Sequence, residues 1–159
     1  MDQTTFETTV GQYQDMVYRV ALHALGSPAD GEDAVQEVFL RLYTYQKPFD
    51  SDEHLRRWLI RVTVNLCKNT LKSRWRRRVS LDELGELPVF DQPGDETLYK
   101  AVLSLPDKYR VVVYLFYYEA WTTAQIAQTL GLKQSAVTTR LSRARGLLKD
   151  KLGEEWQDE

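Results

Sequence analysis

The sequence predicts an all-α protein of two small helical domains joined by a flexible acidic linker, the C-terminal domain containing a helix-turn-helix. Three observations point there. Outside one interval, apolar residues recur every three or four positions, the period of helices that bury one face. That interval, residues 79–96 (VSLDELGELPVFDQPGDE), keeps no period and holds two prolines and two glycines, the composition of a linker. Further on, Thr122 to Leu148 splits at Gly131 into two amphipathic pieces. The expected division is a first helical domain over 1–78, the linker over 79–96 with some helical character near Ser80 to Leu84, a second helical domain over 97–153, and an acidic tail over 154–159.

The first helix is expected from about Thr4 to Leu25, with Phe6, Val10, Tyr13, Val17, Val20 or Ala21, and Leu25 on its apolar face, and Gly26-Ser27-Pro28 as its stop. A second helix starts near Ala29 or Asp30, where Asp30, Glu32 and Asp33 suit the positive end of the helix dipole. Ala34, Val35, Val38, Phe39, Leu42 and Tyr43 form its buried stripe. Asp33, Gln36, Glu37, Leu40 and Arg41 form another stripe at i, i+3, i+4, i+7 and i+8, which by spacing alone favours a plain solvated face over a protein-docking one. Pro48 and its polar neighbours then make a loop, and a third helix runs from Ser51 or Asp52 to Arg78. Its apolar positions are Leu55, Trp58, Leu59, Val62, Leu66 and Leu71, and Cys67 among them reads as a buried structural cysteine.

The second domain opens at about Thr97 with a short helix through Leu98, Ala101, Val102 and Leu105, closed by Pro106. Asp107 caps the next helix, which contains Val111, Val112, Leu115 and Phe116 and runs to about Glu119. VVVYLFYY has strand propensity, but a lone strand would lack a partner, so the helical reading is preferred. After Trp121, which anchors the following motif, Ile126, Ala127 and Leu130 face the core, Gly131 supplies a positive φ, and Leu132 packs the corner. The last helix puts Val137, Leu141, Ala144 and Leu148 on one face and Gln134, Ser135, Thr138, Thr139, Arg140, Arg143 and Arg145 on the other. No Asp or Glu falls between Lys133 and Lys149. Hydroxyls, amides and guanidinium groups on a rod can meet base edges and phosphates in a major groove, and the acid-free face favours that over a merely structural αα corner.

At 159 residues, 43% hydrophobic and 28% charged, the chain has an ordinary soluble globular composition with enough length for a core. No apolar run is long enough to span a bilayer and MDQTTFETTV does not read as a secretory signal, so a cytoplasmic protein without membrane insertion is expected. A single cysteine excludes an internal disulfide and a thiolate cluster, and the isolated His23 and His54 argue against zinc. With no His/carboxylate or Cys/His constellation and no glycine-rich phosphate loop, no catalytic residue, cofactor or metal is expected. The net charge of −2 conceals segregation: nine Lys or Arg and no acid from His54 to Val79, then six acids and no Lys or Arg from Val79 to Tyr99. Basic blocks on either side of an acidic one predict two nucleic-acid-facing surfaces. In the first block Arg56, Arg57, Arg61, Lys68, Lys72, Arg74 and Arg76 to Arg78 are interleaved with Trp58 and Trp75, and Asn65 and Asn69 lie one turn apart. That set suits phosphate neutralisation and stacking on unpaired bases, although Trp58 reads equally well as core.

Five motifs, in this order and spacing, resemble the extracytoplasmic-function (ECF, group IV) sigma factors of bacterial RNA polymerase, within the sigma-70 family. They are EDAVQEVFLRLY (Glu32 to Tyr43), WLIRVTVNLCKN (Trp58 to Asn69), LPDKYR (Leu105 to Arg110), IAQTLGL (Ile126 to Leu132) and AVTTRLSRAR (Ala136 to Arg145). The likeness runs from about Tyr13 to Leu152. It implies a non-enzymatic transcription-initiation factor whose partners are core RNA polymerase (β′ clamp helices and β flap), promoter DNA and an anti-sigma factor. By the resemblance, Asp33, Gln36, Glu37 and Leu40 dock on the β′ clamp helices, which reverses the solvated reading of that stripe. Phe49, Asp50, Ser51, Trp58, Arg61, Asn65 and Lys68 fall in the element that captures a flipped base of the minus-10 strand. Gln134, Ser135, Thr138, Thr139, Arg140 and Arg143 fall where the minus-35 element is bound, with Thr139, Arg140 and Arg143 nearest the bases. The sequence departs from the family pattern at Thr138, a position often basic, at Ser135-Ala136 in place of Gly-Thr, and at Trp121-Thr122-Thr123 in place of a Leu-Ser-Tyr type opening. No further C-terminal domain, of the kind some relatives carry, is expected. A helix-turn-helix regulator that binds duplex DNA without polymerase remains the alternative; it leaves the Asp33/Gln36 stripe and the Trp-bearing basic helix without a task.

Overall fold

The computed structural model describes residues 1–77 and 96–153, the side chains of 1–73 and 97–153 among them. Almost all of the expected linker, 79–95, and the acidic tail 154–159 lie outside the described residues. The chain divides into two compact units, 1–87 and 88–159, each described by itself.

Unit one is three helices: α1 (Gln3–Leu25), α2 (Pro28–Thr44) and α3 (Asp52–Arg77). Asp2 caps α1 by accepting the Thr5 N–H at 2.7 Å. At the other end Gly26 takes φ 72°, and its N–H reaches the Leu22 carbonyl. Ser27 caps α2, and Pro28 occupies its first position, so α2 begins one or two residues earlier than expected: a proline there has no N–H to leave unmet. The core consists of Val17, Val20, Leu22 and Leu25 of α1, Val38 and Leu42 of α2, and Leu59, Ile60, Val64 and Cys67 of α3, all 1% exposed or less. Each such aliphatic side chain contributes about 1.5–3 kcal/mol by leaving water. His23 is buried in this core with Nδ1 2.7 Å from the Arg19 carbonyl, which fixes Nδ1–H as the donor.

Two expectations for this unit change. Tyr43, read as part of the buried stripe, is 61% exposed, its ring in a T-shaped contact with Phe6 at 5.1 Å. On α3 the buried arc runs through Leu55, Leu59, Ile60, Thr63, Val64 and Cys67, rotated from the stripe read in the sequence; Trp58, Val62, Leu66 and Leu71 are half-buried along its margin. The cause is that α3 packs against both α1 and α2, so it needs a wide arc rather than a narrow stripe.

Unit two comprises α4 (Glu96–Leu103), α5 (Asp107–Val113), α6 (Thr123–Leu130) and α7 (Gln134–Leu152). The VVVYLFYY segment is helical, but a π-helical turn over Tyr114–Tyr118 widens the end of α5. The chain then reverses through Ala120 at φ 56°, and the Trp121 N–H returns to the Leu115 carbonyl at 3.0 Å. Pro106 holds the cap position of α5; Asp107, expected as the cap, lies inside the first turn and binds Arg110 instead. Thr122 and Gln125 form a reciprocal capping box at the start of α6, at 3.1 and 2.9 Å. Gly131 ends that helix at φ 69°. Val137, Leu141, Ala144 and Leu148 of α7 are all buried, as their spacing predicts, and α7 packs against α4, α5 and α6. Left-handed backbone at Ala120 gives a direct test: Ala120→Gly is expected to raise unfolding stability by about 0.5–1 kcal/mol, read from urea denaturation.

Candidate nucleic-acid interface and docking face

Three surfaces gather the residues singled out by sequence. On α2, Asp33, Gln36, Glu37 and Leu40 are all exposed and share one face, opposite the buried Ala34, Val38 and Leu42. Leu40 is 60% exposed, an apolar side chain held out among polar ones. Arg41 Nε lies 3.4 Å from Glu37 Oε1, an exposed i,i+4 pair that contributes less than about 1 kcal/mol and leaves the face open to a partner.

The second surface joins the α2–α3 loop to α3. Phe49 stacks on Tyr45 at 5.3 Å and meets Trp58 and His54 edge-on at 5.5 and 5.2 Å, while Tyr45 and Trp58 lie 4.8 Å apart. Trp58 and Phe49 thus serve a half-buried aromatic cluster that shapes the loop. His54 fixes its backbone: Nδ1 accepts the Asp50 N–H at 3.0 Å, and the Ser51 hydroxyl oxygen accepts the His54 N–H at 3.0 Å. Asp50 and Ser51 themselves are exposed above the cluster. Along α3, Arg61 and Asn65 are exposed and Lys68 half-buried, one turn apart in succession on a single face.

The third surface is the outer side of α7, where Gln134, Ser135, Thr138, Thr139 and Arg143 are exposed and Arg140 is half-buried. Gln134 Nε2 donates to Thr123 Oγ1 at 2.8 Å, tying the two helices of the motif together. The hydroxyls of Thr138 and Thr139 donate to the Gln134 and Ser135 carbonyls, so their oxygens face outward as acceptors. Arg145, expected on this polar face, is drawn instead to Tyr117: Nε donates to the phenol oxygen at 2.7 Å, with the guanidinium 5.8 Å from the ring centroid. The sequence reading also gave no task to Arg110. It is 6% exposed and bound to Asp107, which is itself partly exposed, so the carboxylate at the start of α5 partners a guanidinium that is largely out of water. An Asp three residues before an Arg at a helix start was the signal that could have found it.

Among the described residues no group of three His, Cys, Asp or Glu is placed to hold a metal, and no helix is long and apolar enough to cross a membrane. Cys67 is fully buried, and burial pushes its thiol up to about 12. Native-state alkylation at pH 8 is therefore expected to be more than about a hundredfold slower than in urea, because the thiol reacts only through opening. Since the folded thiol ionises near 12 against 9.0 for a free one, Cys67 leaves stability unchanged below pH 9 and lowers it as pH rises from there towards 12.

Two compact helical units, one bearing an exposed stripe with an outward leucine and a basic α3 face, the other a helix-turn-helix, define a helical protein of the DNA-binding class. Family comparison narrows the class. Residues 9–77 match Sigma-70 region 2, and residues 95–148 match Sigma-70, region 4. The chain is 28% identical to the ECF RNA polymerase sigma factor SigW of Bacillus subtilis, over 95% of this chain and 90% of that protein. It is 30% identical to the ECF sigma factor SigL of Mycobacterium tuberculosis, over 84% of this chain and 80% of that one. With the ECF sigma factor SigE of Mycolicibacterium smegmatis identity is 31%, and the chain spans 62% of that longer protein. In fold it is similar to the sigma factor RpoE of Bartonella quintana, solved in complex with the anti-sigma factor NepR, at TM-score 0.76 and 20% identity over 96% of this chain and 99% of that one. The chain belongs to the sigma-70 family, as an ECF sigma factor. Sigma factors are non-enzymatic, DNA-binding factors of transcription initiation.

Proposed function

We propose that this sigma factor binds core RNA polymerase through Asp33, Gln36, Glu37 and Leu40 on the β′ clamp helices, with unit two meeting the β flap. The polymerase then brings two DNA-reading surfaces to one promoter. Asp50, Ser51, Arg61, Asn65 and Lys68 face the minus-10 strand, with Phe49 and Trp58 shaping the pocket that traps an unstacked base, at a cost of a few kcal/mol recovered by stacking and hydrogen bonds. Gln134, Ser135, Thr138, Thr139, Arg140 and Arg143 face the minus-35 duplex. An anti-sigma partner holds the chain inactive, and the protein acts in the cytoplasm with no catalysis of its own.

The observation that carries this reading is the exposed Asp33–Leu40 stripe on the same three-helix unit as the basic α3 face. A regulator that worked on duplex DNA alone would have no use for that combination. Promoter-directed transcription with purified core polymerase tests it. The chain is expected to yield defined transcripts from a subset of promoters, its own upstream region among the candidates. No transcript from any of them would count against the reading.

A further inference from the structure

Three successive loop residues, Phe49, Asp50 and Ser51, converge on one residue, His54 in the first turn of α3. Phe49 lies against its ring at 5.2 Å, Nδ1 accepts the Asp50 N–H at 3.0 Å, and the Ser51 hydroxyl oxygen accepts the His54 N–H at 3.0 Å. An Nδ1 that accepts carries no hydrogen, so this ring is neutral, with its hydrogen on Nε2. The same Nδ1 lies 3.8 Å from Oδ2 of Asp50, a carboxylate side chain that is 93% exposed. Asp50 therefore offers two rival partners, a backbone donor that needs the neutral ring and a carboxylate that needs the cation. A proton on Nδ1 sets donor against donor at the Asp50 N–H and turns the ring towards the carboxylate instead. Among the described residues that carboxylate is the one charge within ion-pair distance of the ring. Its neighbours on α3, Glu53 and Arg57, are bound to each other at 3.0 Å. From the end of α2 comes the phenol of Tyr45, stacked on Phe49, and on the α1 side Tyr13 takes up the fields of Asp52, Arg56 and Glu53.

We propose that His54 is a positioning residue for the loop that meets the minus-10 strand, and that its protonation switches promoter opening down. The inference rests on the promoter-binding reading and gives that site a regulator, the proton. The neutral ring holds the Asp50 backbone, and with it the exposed Asp50 and Ser51 side chains, in place for the displaced strand. The cation releases that backbone and draws the Asp50 carboxylate onto itself. Both changes act against capture of an unstacked base. The helix does not have to move, because Leu55, Leu59 and Ile60 anchor its start in the core and take no part in the exchange. Histidine changes charge between about pH 5 and 8, so opening is supported at the upper end of that range and lost as pH falls through it.

The test uses holoenzyme assembled from the full chain and core polymerase, with permanganate reactivity of minus-10 thymines read from about pH 5.5 to about pH 8. His54→Asn is the decisive variant: its Oδ1 stands where Nδ1 stood, accepts the Asp50 N–H and does not titrate. The ratio of native to His54→Asn opening is expected to fall about two- to tenfold from the top of that range to the bottom, the span of one net hydrogen bond. Other titrating groups, the buried His23 and those of the polymerase included, are common to both proteins and cancel in the ratio. His54→Ala should open less at every pH with an unchanged helical signal, since residue 54 is only half-buried. In the free chain the Asp50 amide resonance should titrate together with the His54 ring, and should stay fixed over the same range in His54→Asn. A ratio that does not change with pH, a ratio that rises on acidification, or an Asp50 amide that ignores the ring would overturn the switch while leaving the promoter reading standing. No opening at any pH, by either protein, would overturn both.

Discussion

Affinity for core polymerase is expected to fall about a hundredfold when Asp33, Gln36 and Glu37 are replaced together by alanine, a loss of about 3 kcal/mol spread over three contact residues. All three are exposed, and Arg41 beside Glu37 makes only a weak surface pair. The fold therefore loses almost nothing when they go, and the helical signal and melting temperature should stay at native values. Leu40→Asp should act in the same direction: a 60% exposed leucine gains little for the free chain and is of use only when a partner desolvates it. Association measured by fluorescence anisotropy of labelled sigma factor against core polymerase reads both. Native-like affinity in the triple variant would remove this face from the docking surface, whatever the family membership.

The second large effect separates scaffold from contact on α7. Leu141 is 2% exposed and Ala144 and Val137 beside it are fully buried, so Leu141→Ala is expected to cost about 2–5 kcal/mol through lost transfer energy and the cavity left behind. A domain of this size holds only about 3–9 kcal/mol in all, so unit two should lose much of its folded population near 37 °C. The variant should show a lowered unfolding midpoint and lose promoter recognition as a consequence. Arg143→Ala, on the exposed side of the same helix, should leave unfolding unchanged and lose about 1–3 kcal/mol of binding to the intact minus-35 sequence. Urea unfolding and duplex binding of the two variants, side by side, give opposite patterns if α7 divides in this way.

The sequence made α7 legible because it packs against its neighbours along a single narrow face, and spacings of four, three and four name that face directly. The Asp33–Leu40 stripe was equally visible as geometry, but spacing cannot distinguish a docking face from a solvated one; only the family resemblance carried by the order of motifs favours docking. The α3 arc was misread because Trp58, Val62 and Leu66 are apolar residues at a margin, while the buried Thr63 satisfies its hydroxyl on the Leu59 carbonyl at 2.6 Å and so counts as core despite its polarity. Tyr43 misled in the same way, its ring in contact with Phe6 while the residue stays 61% exposed. The π turn at Tyr114–Tyr118 has no signature in local propensity, since it is set by the Tyr114 hydroxyl's bond to Glu119 and the return of Trp121 to Leu115. Arg145 and Arg140 show the limit for charged residues. Both sit among the cations of one helix, and only their partners on other elements, Tyr117 and Lys108, reveal that each is turned inward.

The central claim is that this chain reads and opens promoters as part of RNA polymerase and not alone. Permanganate footprinting of a promoter it directs tests that claim most directly, because the reagent modifies only unstacked thymines. Reactive thymines in the minus-10 region are expected with chain and core polymerase together, with neither component alone, and at much reduced level with Asn65→Ala. Tight, sequence-specific binding of the isolated chain to a palindromic duplex, with no polymerase-dependent opening, would contradict the account.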